Sequence, residues 1–221
     1  MLDNIEAGFS GQESLPGRHA FLRKLAHRIT LSLACPLLIP YPFTTEQSMI
    51  QGDVRHWQAR TPAEEGGAIG LLELLARFPE FRSQYLYRLR KGNLAAFLLS
   101  CMLRPFYRLR PLLFIWCPDI GPGLFLQHAW CTVISARKIG SNCWINQEVT
   151  IGHRGTEIGP TIGNNVSIRV GAKVLGDIRI GDNVTIGANA VVLKDVPDNC
   201  VVVGVPAYIV KRNGVRVHEP L

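Results

Sequence analysis

From Ile139 to Val192 an aliphatic residue returns at every sixth position, apart from one insertion: Ile139, Ile145, Ile151, then Ile162, Ile168, Val174, Ile180, Ile186, Val192. A helix repeats its buried face about every 3.6 residues and a half-buried strand every two. A period of six is a short strand followed by a turn, repeated many times. Glycine follows the aliphatic at 121, 140, 152, 163, 181 and 187, often with Asn, Asp or Ser behind it, as in IGSN, IGNN and IGDN. These are turn residues at the required spacing. A strand that buries one aliphatic must bury it against the next repeat, so the pattern predicts a solenoid with capped ends.

Traced backward, the phase reaches Ile120, Leu126 and Val133, with one extra residue directly after His128. A second break, HRGTEIGPT, follows Ile151 and contains His153. Loops that leave a rigid scaffold carry function, and both breaks flank a histidine.

Residues 17 to about 112 have a different texture. GRHAFLRKLAHRITLSLA, GGAIGLLELLARF and FRSQYLYRLRKGNLAAFLLSCMLRPFYRL carry apolar residues at helical spacing until Pro105. The expected organisation is a helical domain over 1–112, a solenoid over 113–212 and a short tail over 213–221. The net charge is +7, and the run from Arg77 to Arg110 holds eight basic residues against Glu80. Such a run reads either as a solvated helix face or as a surface for phosphorylated ligands or anionic lipid. No nucleic-acid module signature accompanies it, so nucleic acid is not an expected partner. The six cysteines show no CxxC spacing and no histidines at zinc spacing. They read as reduced core residues, and no metal is expected. MLDNIEAGFSGQ has neither the basic nor the apolar region of a secretory leader, and ITLSLACPLLIPYPF is too short and proline-broken to span a bilayer. A cytoplasmic protein is expected, with peripheral contact at the inner membrane face as a further expectation.

The stretches GLFLQHAWC, KIGSNCWINQEVTIG and GAKVLGDIRIGDNVTIGANAVVLKDVPDNCVVVGVPAYIVK resemble the hexapeptide-repeat acyltransferases, in particular the serine acetyltransferase branch and its polysaccharide-associated relatives. The likeness covers about 120 to 212, and its KDVP…GVPA ending is a distinctive part of it. It implies an α+β chain: an N-terminal helical region followed by a left-handed parallel β-helix with three hexapeptides per coil. It also implies a homotrimer, with a hexamer through the helical domain as an extension. Three hexapeptides per coil would stack Leu126, Ile145, Ile168 and Ile186, with a second column of His128, Gln147, Val170 and Ala188 two residues on.

The resemblance makes His128 the general base of an acetyl-CoA-dependent O-acetyltransferase. A base with a pKa near neutrality can take the proton of an attacking alcohol and return it to the departing thiolate. The donor, acetyl-CoA, is implied to lie along the groove past Val170 and Ala188, with Lys194 and Lys211 near its nucleotide end. His153 is a second candidate, for assisting the base or holding the acceptor, and Gln147, in the column of His128, is a further acceptor-binding candidate. Asp53, in IQGDVRHWQARTPA, resembles an N-terminal acceptor-binding aspartate and also reads as a helix cap.

Several positions depart from the branch. Arg169 stands where glycine is usual, next to the groove, and Gln127 where serine-specific members carry aspartate; both are expected to bind the acceptor, Arg169 by pairing with an acidic group or a phosphate. Leu113 stands in place of the aspartate that orients the histidine, and EIGPT in place of an Arg-His pair that grips an amino-acid carboxylate. A site without partners for an ammonium and a carboxylate should recognise a free amino acid poorly. The small-molecule hydroxyl acceptor is therefore expected to be a saccharide or sugar precursor slightly ahead of serine. A serine enzyme that assembles with a sulfhydrylase through its C-terminal tail ranks behind both, because the chain ends VHEPL. A noncatalytic trimeric scaffold is the alternative from another class.

Overall fold

The computed structural model describes residues 16–61, 67–155 and 157–221. The expectation about the N-terminal leader falls outside them. Five helices come first: α1 (Pro16–Ala34), α2 (Gln47–Gln58), α3 (Gly67–Arg77), α4 (Pro79–Lys91) and α5 (Leu94–Leu103). Local chemistry sets several of their ends. Pro79 opens α4 and Gly92 closes it, while the Asn93 side chain caps α5 by accepting from the Ala96 N–H at 3.0 Å. The proline-broken segment after α1 becomes two 3₁₀ turns, Cys35–Leu38 and Tyr41–Phe43. Among the described residues no helix is long and apolar enough to cross a membrane.

The remainder is a left-handed parallel β-helix of about five turns. Its first face stacks Ile115, Ile134, Ile151, Val174 and Val192. The second stacks Ile120, Ile139, Ile162, Ile180 and Val196. The third stacks Leu126, Ile145, Ile168, Ile186 and Val202. All fifteen are buried and form the axis of the core. At the corner between the second and third faces, Asn142, Asn165, Asn183 and Asn199 take positive φ, and Gly123 does so in the first turn. Their side chains form a ladder, Asn165 to Asn183 and Asn183 to Asn199 at 3.0 Å each. Asparagine serves because it tolerates the left-handed region and its amide bonds to its own kind one rung away.

Two sequence expectations need correction. The first-face residue after Leu126 is Ile134, paired with Ile151, and not Val133, which pairs with Thr150. The chain therefore carries two extra residues at this corner, because the strand Thr132–Ile134 alternates in burial and only Ile134 continues the column. Residues 213–221 are no tail: Val215–Pro220 is a strand, antiparallel to Tyr208–Arg212, which in turn extends the third face beyond Cys200–Val203.

The helical half covers the first turn through buried polar contacts. Arg88, 1 % exposed, bonds both Asp53 oxygens (2.9 and 3.2 Å) and donates to the Ile120 and Gly121 carbonyls. Asp53 in turn accepts from the Gly123 and Leu124 N–H groups at 2.8 and 3.0 Å. Trp57 and Gln84 both donate to the Leu124 carbonyl. The capping demanded by a solenoid end is thus made by these side chains.

The basic run is not a uniformly solvated face. Arg88 is buried, Arg77 pairs with Glu73 at 2.6 Å, and Arg82 donates to three backbone carbonyls. The cysteines also divide: Cys117, Cys143 and Cys200 are buried, whereas Cys35, Cys101 and Cys131 are exposed. Burial pushes the Cys143 thiol up to about 12.

Candidate functional site

His128 lies at the corner between the third and first faces, exposed, with φ of 58°. In the regular turns this corner is closed by an N–H donating to the rung above: Asn189 to the Val170 carbonyl at 2.9 Å and Gly171 to the Gln147 carbonyl at 3.1 Å. One rung higher the pattern changes. Glu148 donates to Trp130, not to His128, because the two extra residues carry the chain outward. The column of Gln147, Val170 and Ala188 is therefore real, but Trp130 stands at its head and His128 is set off beside it.

Released from the ladder, the His128 carbonyl is taken by Arg110, whose Nε and Nη2 donate to it at 3.2 and 2.8 Å. The Trp130 N–H donates to it as well. Arg110 is held in turn by Glu80 of α4 at 3.3 Å, and Glu80 is 7 % exposed. A buried carboxylate thus fixes a guanidinium that fixes the histidine backbone. Arg110 and Glu80 carried no signal in the sequence beyond membership of a charged run. Leu113, which replaces the branch's orienting aspartate, lies in the first strand, and the Arg110 contact is to the His128 backbone.

The other candidate residues disperse. His153 is exposed and its Nε2 lies 3.0 Å from the Ser135 hydroxyl, at the corner between the first and second faces. Within one chain it and His128 occupy different edges of the prism. Lys194 sits at the same edge as His153, its Nζ donating to the Leu221 backbone oxygen at 2.6 Å. Lys211 is exposed on the strand that extends the third face, beside Val201 and Arg216. Val170 is half-buried and Ala188 exposed at the edge of His128. Asp53 is only 2 % exposed, and its oxygens are engaged by Arg88 and two backbone N–H groups; in this chain it works as a structural cap. Gln147 carries a buried Oε1 with no hydrogen-bond partner among the described residues.

Gln127 and Arg169 fall on the outer surface of the third face. Gln127 Oε1 accepts from Trp144 Nε1 at 3.2 Å and from Asn146 Nδ2 at 2.9 Å. The Arg169 guanidinium lies 4.4 Å from the centre of the Trp144 ring. Nearby, burial and the charge of Arg60 lower the His56 pKa to about 4. Among the described residues no group of three or more His, Cys, Asp or Glu side chains could hold a metal ion.

Residues 159–194 match the family described as bacterial transferase hexapeptide (six repeats). The serine acetyltransferase of Synechococcus elongatus is 38 % identical over 190 residues, covering 78 % of this chain and 71 % of that one. That of Staphylococcus aureus is 53 % identical over 102 residues, 44 % of this chain and 48 % of the relative, so the match spans about half the staphylococcal enzyme. Among solved structures, the serine acetyltransferase of Brucella abortus superposes with a TM-score of 0.58 at 27 % identity, covering 79 % of this chain and 70 % of that chain. The Neisseria gonorrhoeae enzyme superposes at 0.57 and 32 %, covering 77 % and 66 %. With the repeat, the capped β-helix and a relative 38 % identical over 71 % of its own length in agreement, the chain belongs to the serine acetyltransferase family of hexapeptide-repeat acyltransferases.

Proposed function

We propose that this chain transfers the acetyl group of acetyl-CoA directly to the hydroxyl of a small acceptor, with His128 as general base. The acceptor oxygen attacks the thioester carbonyl while His128 takes its proton. When the C–S bond breaks, the same imidazole returns that proton to the coenzyme A thiolate. No covalent enzyme intermediate is needed when both substrates bind together. The observation that carries this reading is the treatment of His128: a repeat break exposes it, and Arg110 with Glu80 holds its backbone.

L-serine is the first acceptor of this proposal, because the relatives are serine acetyltransferases. Their names reverse the saccharide preference drawn from the sequence. A sugar hydroxyl remains the second reading on one observation. Gln127 presents a neutral carboxamide tied to Trp144 and Asn146, and Asp53 is buried, so neither offers a carboxylate to an ammonium.

The donor groove would be completed between copies of the chain. Val170 and Ala188 share an edge with His128, while Lys194 and His153 lie on another, and a homotrimer would bring unlike edges together. Exposed Leu94, Leu98 and Met102 of α5, with Leu22 and Ile29 of α1, support association of the helical halves into a hexamer.

The test is free-thiol release from acetyl-CoA with serine and with a panel of sugars. His128→Ala should lower kcat by about 10²- to 10⁴-fold while coenzyme A still binds. Turnover equal to wild type in that variant, or none with any acceptor in the wild type, would end this reading.

A further inference from the structure

The outer surface of the third face carries a cluster that the role of His128 leaves unused. Phe125, Trp144 and Arg169 belong to successive rungs, and α2 lies over the upper end, with Trp57 packed edge-on against Phe125 at 4.7 Å. Arg60, just past α2, brings its guanidinium carbon within 5.5 Å of the centre of the Trp144 ring. Arg169 approaches the same ring at 4.4 Å. Two guanidinium groups therefore converge on one indole.

Neither has an acidic partner within ion-pairing distance among the described residues. Arg60 donates to the His56 carbonyl at 3.1 Å, and the Arg169 side chain donates to nothing there. A cation over an aromatic ring is attracted by the negative face of the ring. The ring contact leaves N–H donors of both groups without an acidic partner among the described residues, and an anion reached by both would meet two positive charges. Among the described residues the surroundings add donors and no acid. Gln127 turns its oxygen to Trp144 and Asn146, which leaves its NH2 without an acceptor among the described residues. His56 Nε2 is buried without a hydrogen-bond partner among the described residues.

We infer that Arg60 and Arg169 form a subsite for an anionic group on the acceptor, a carboxylate or a phosphate, whose hydroxyl is presented to His128. Guanidinium forks suit either oxyanion through paired N–H donors. Gln127 joins the subsite to the base, being adjacent to His128 in sequence and bonded to the Trp144 indole. Trp144 lies one rung below Gln127, and strands in a sheet are about 4.8 Å apart. The reach suits a small hydroxy acid or a sugar phosphate. This inference rests on the transferase reading and adds the acceptor's charge to it; serine and a phosphorylated sugar share the required chemistry.

The experiment compares acceptors that differ only in charge, L-serine against L-serinamide and glucose 6-phosphate against glucose. Wild type, Arg60→Gln, Arg169→Gln and the outlying control Arg179→Gln are each assayed for thiol release. In whichever pair is acetylated, the anionic member should have a kcat/KM higher by about 10- to 100-fold. Each subsite variant should remove most of that preference through the acceptor KM, with the KM for acetyl-CoA unchanged and the control matching wild type. Equal rates within the active pair, or an unchanged acceptor KM in both variants, would overturn the subsite while leaving the transferase intact. Calorimetric titration of acetyl-CoA-free protein with glycerate and with inorganic phosphate supplies a readout independent of turnover. Binding that both variants lose supports the subsite even if no acceptor is acetylated, and absence of binding together with absence of turnover overturns it.

Discussion

At the scale of single residues, the decisive contact is a backbone one. Arg110 grips the carbonyl of His128 where the ladder bond has been given up, and Glu80 holds Arg110 from α4. A side chain that acts through another residue's main chain is a positioning group, so its loss should alter rate more than binding. Arg110→Ala should lower kcat by about 10- to 100-fold, the scale of a small misplacement of a reacting group. The KM for acetyl-CoA and the melting temperature should stay near wild type, and Arg110→Lys should restore part of the rate. A variant with normal kcat and a lower melting temperature would make the contact purely structural.

At the scale of the repeat, the glycines after the aliphatics are not equivalent. On the second face the rungs approach so closely that a Cβ on Gly163 would lie 2.3 Å from Asp182 Oδ1 and 2.8 Å from the Gly181 carbonyl carbon. On the first face a Cβ on Gly152 meets nothing nearer than Leu175 Cδ2 at 3.9 Å. Gly163→Ala should therefore destabilise the fold by about 1–3 kcal/mol, as overpacking does. Gly152→Ala should be neutral or stabilise it by up to about 1 kcal/mol through reduced freedom of the unfolded chain. Denaturant melts of the two variants check this directly, and equal losses would contradict it. On the third face the position after the aliphatic carries Gln127, Asn146 and Arg169 in the upper rungs, whereas in the rung of Ile186 a Cβ on Gly187 would lie 2.7 Å from Val203 Cγ1.

At the scale of the molecule, the helical half and the solenoid share one seam of buried polar groups. His56 lies in it, its ring 6.5 Å from that of Phe125, with a pKa lowered to about 4 by burial first and the charge of Arg60 second. An unfolded histidine takes its proton near pH 6.5, whereas the folded one resists until about 4. In that window the unfolded chain binds more protons, so the stability linked to His56 is full above the unfolded value and is lost as pH falls towards 4. His56→Gln should flatten the fall in melting temperature between pH 6.5 and 4. An identical pH profile in the variant would remove His56 from the account.

The sequence by itself determined the solenoid of short strands and the break beside His128, because a period of six fits neither a helix nor a simple alternating strand and turn residues follow each aliphatic; the β-helix and its stacking columns came from the family resemblance. It also placed Arg169 and Gln127 as departures. Only the tertiary structure decided which residue resumes the first column after the break. Val133 and Ile134 are equally apolar, and register along a three-residue strand depends on the partner strand. The same holds for Asp53, whose one-dimensional context does not reveal that Arg88 and the first turn enclose it. It holds again for Arg110, Glu80 and Arg60. Their roles come from contacts between elements far apart in the chain, which no local spacing encodes.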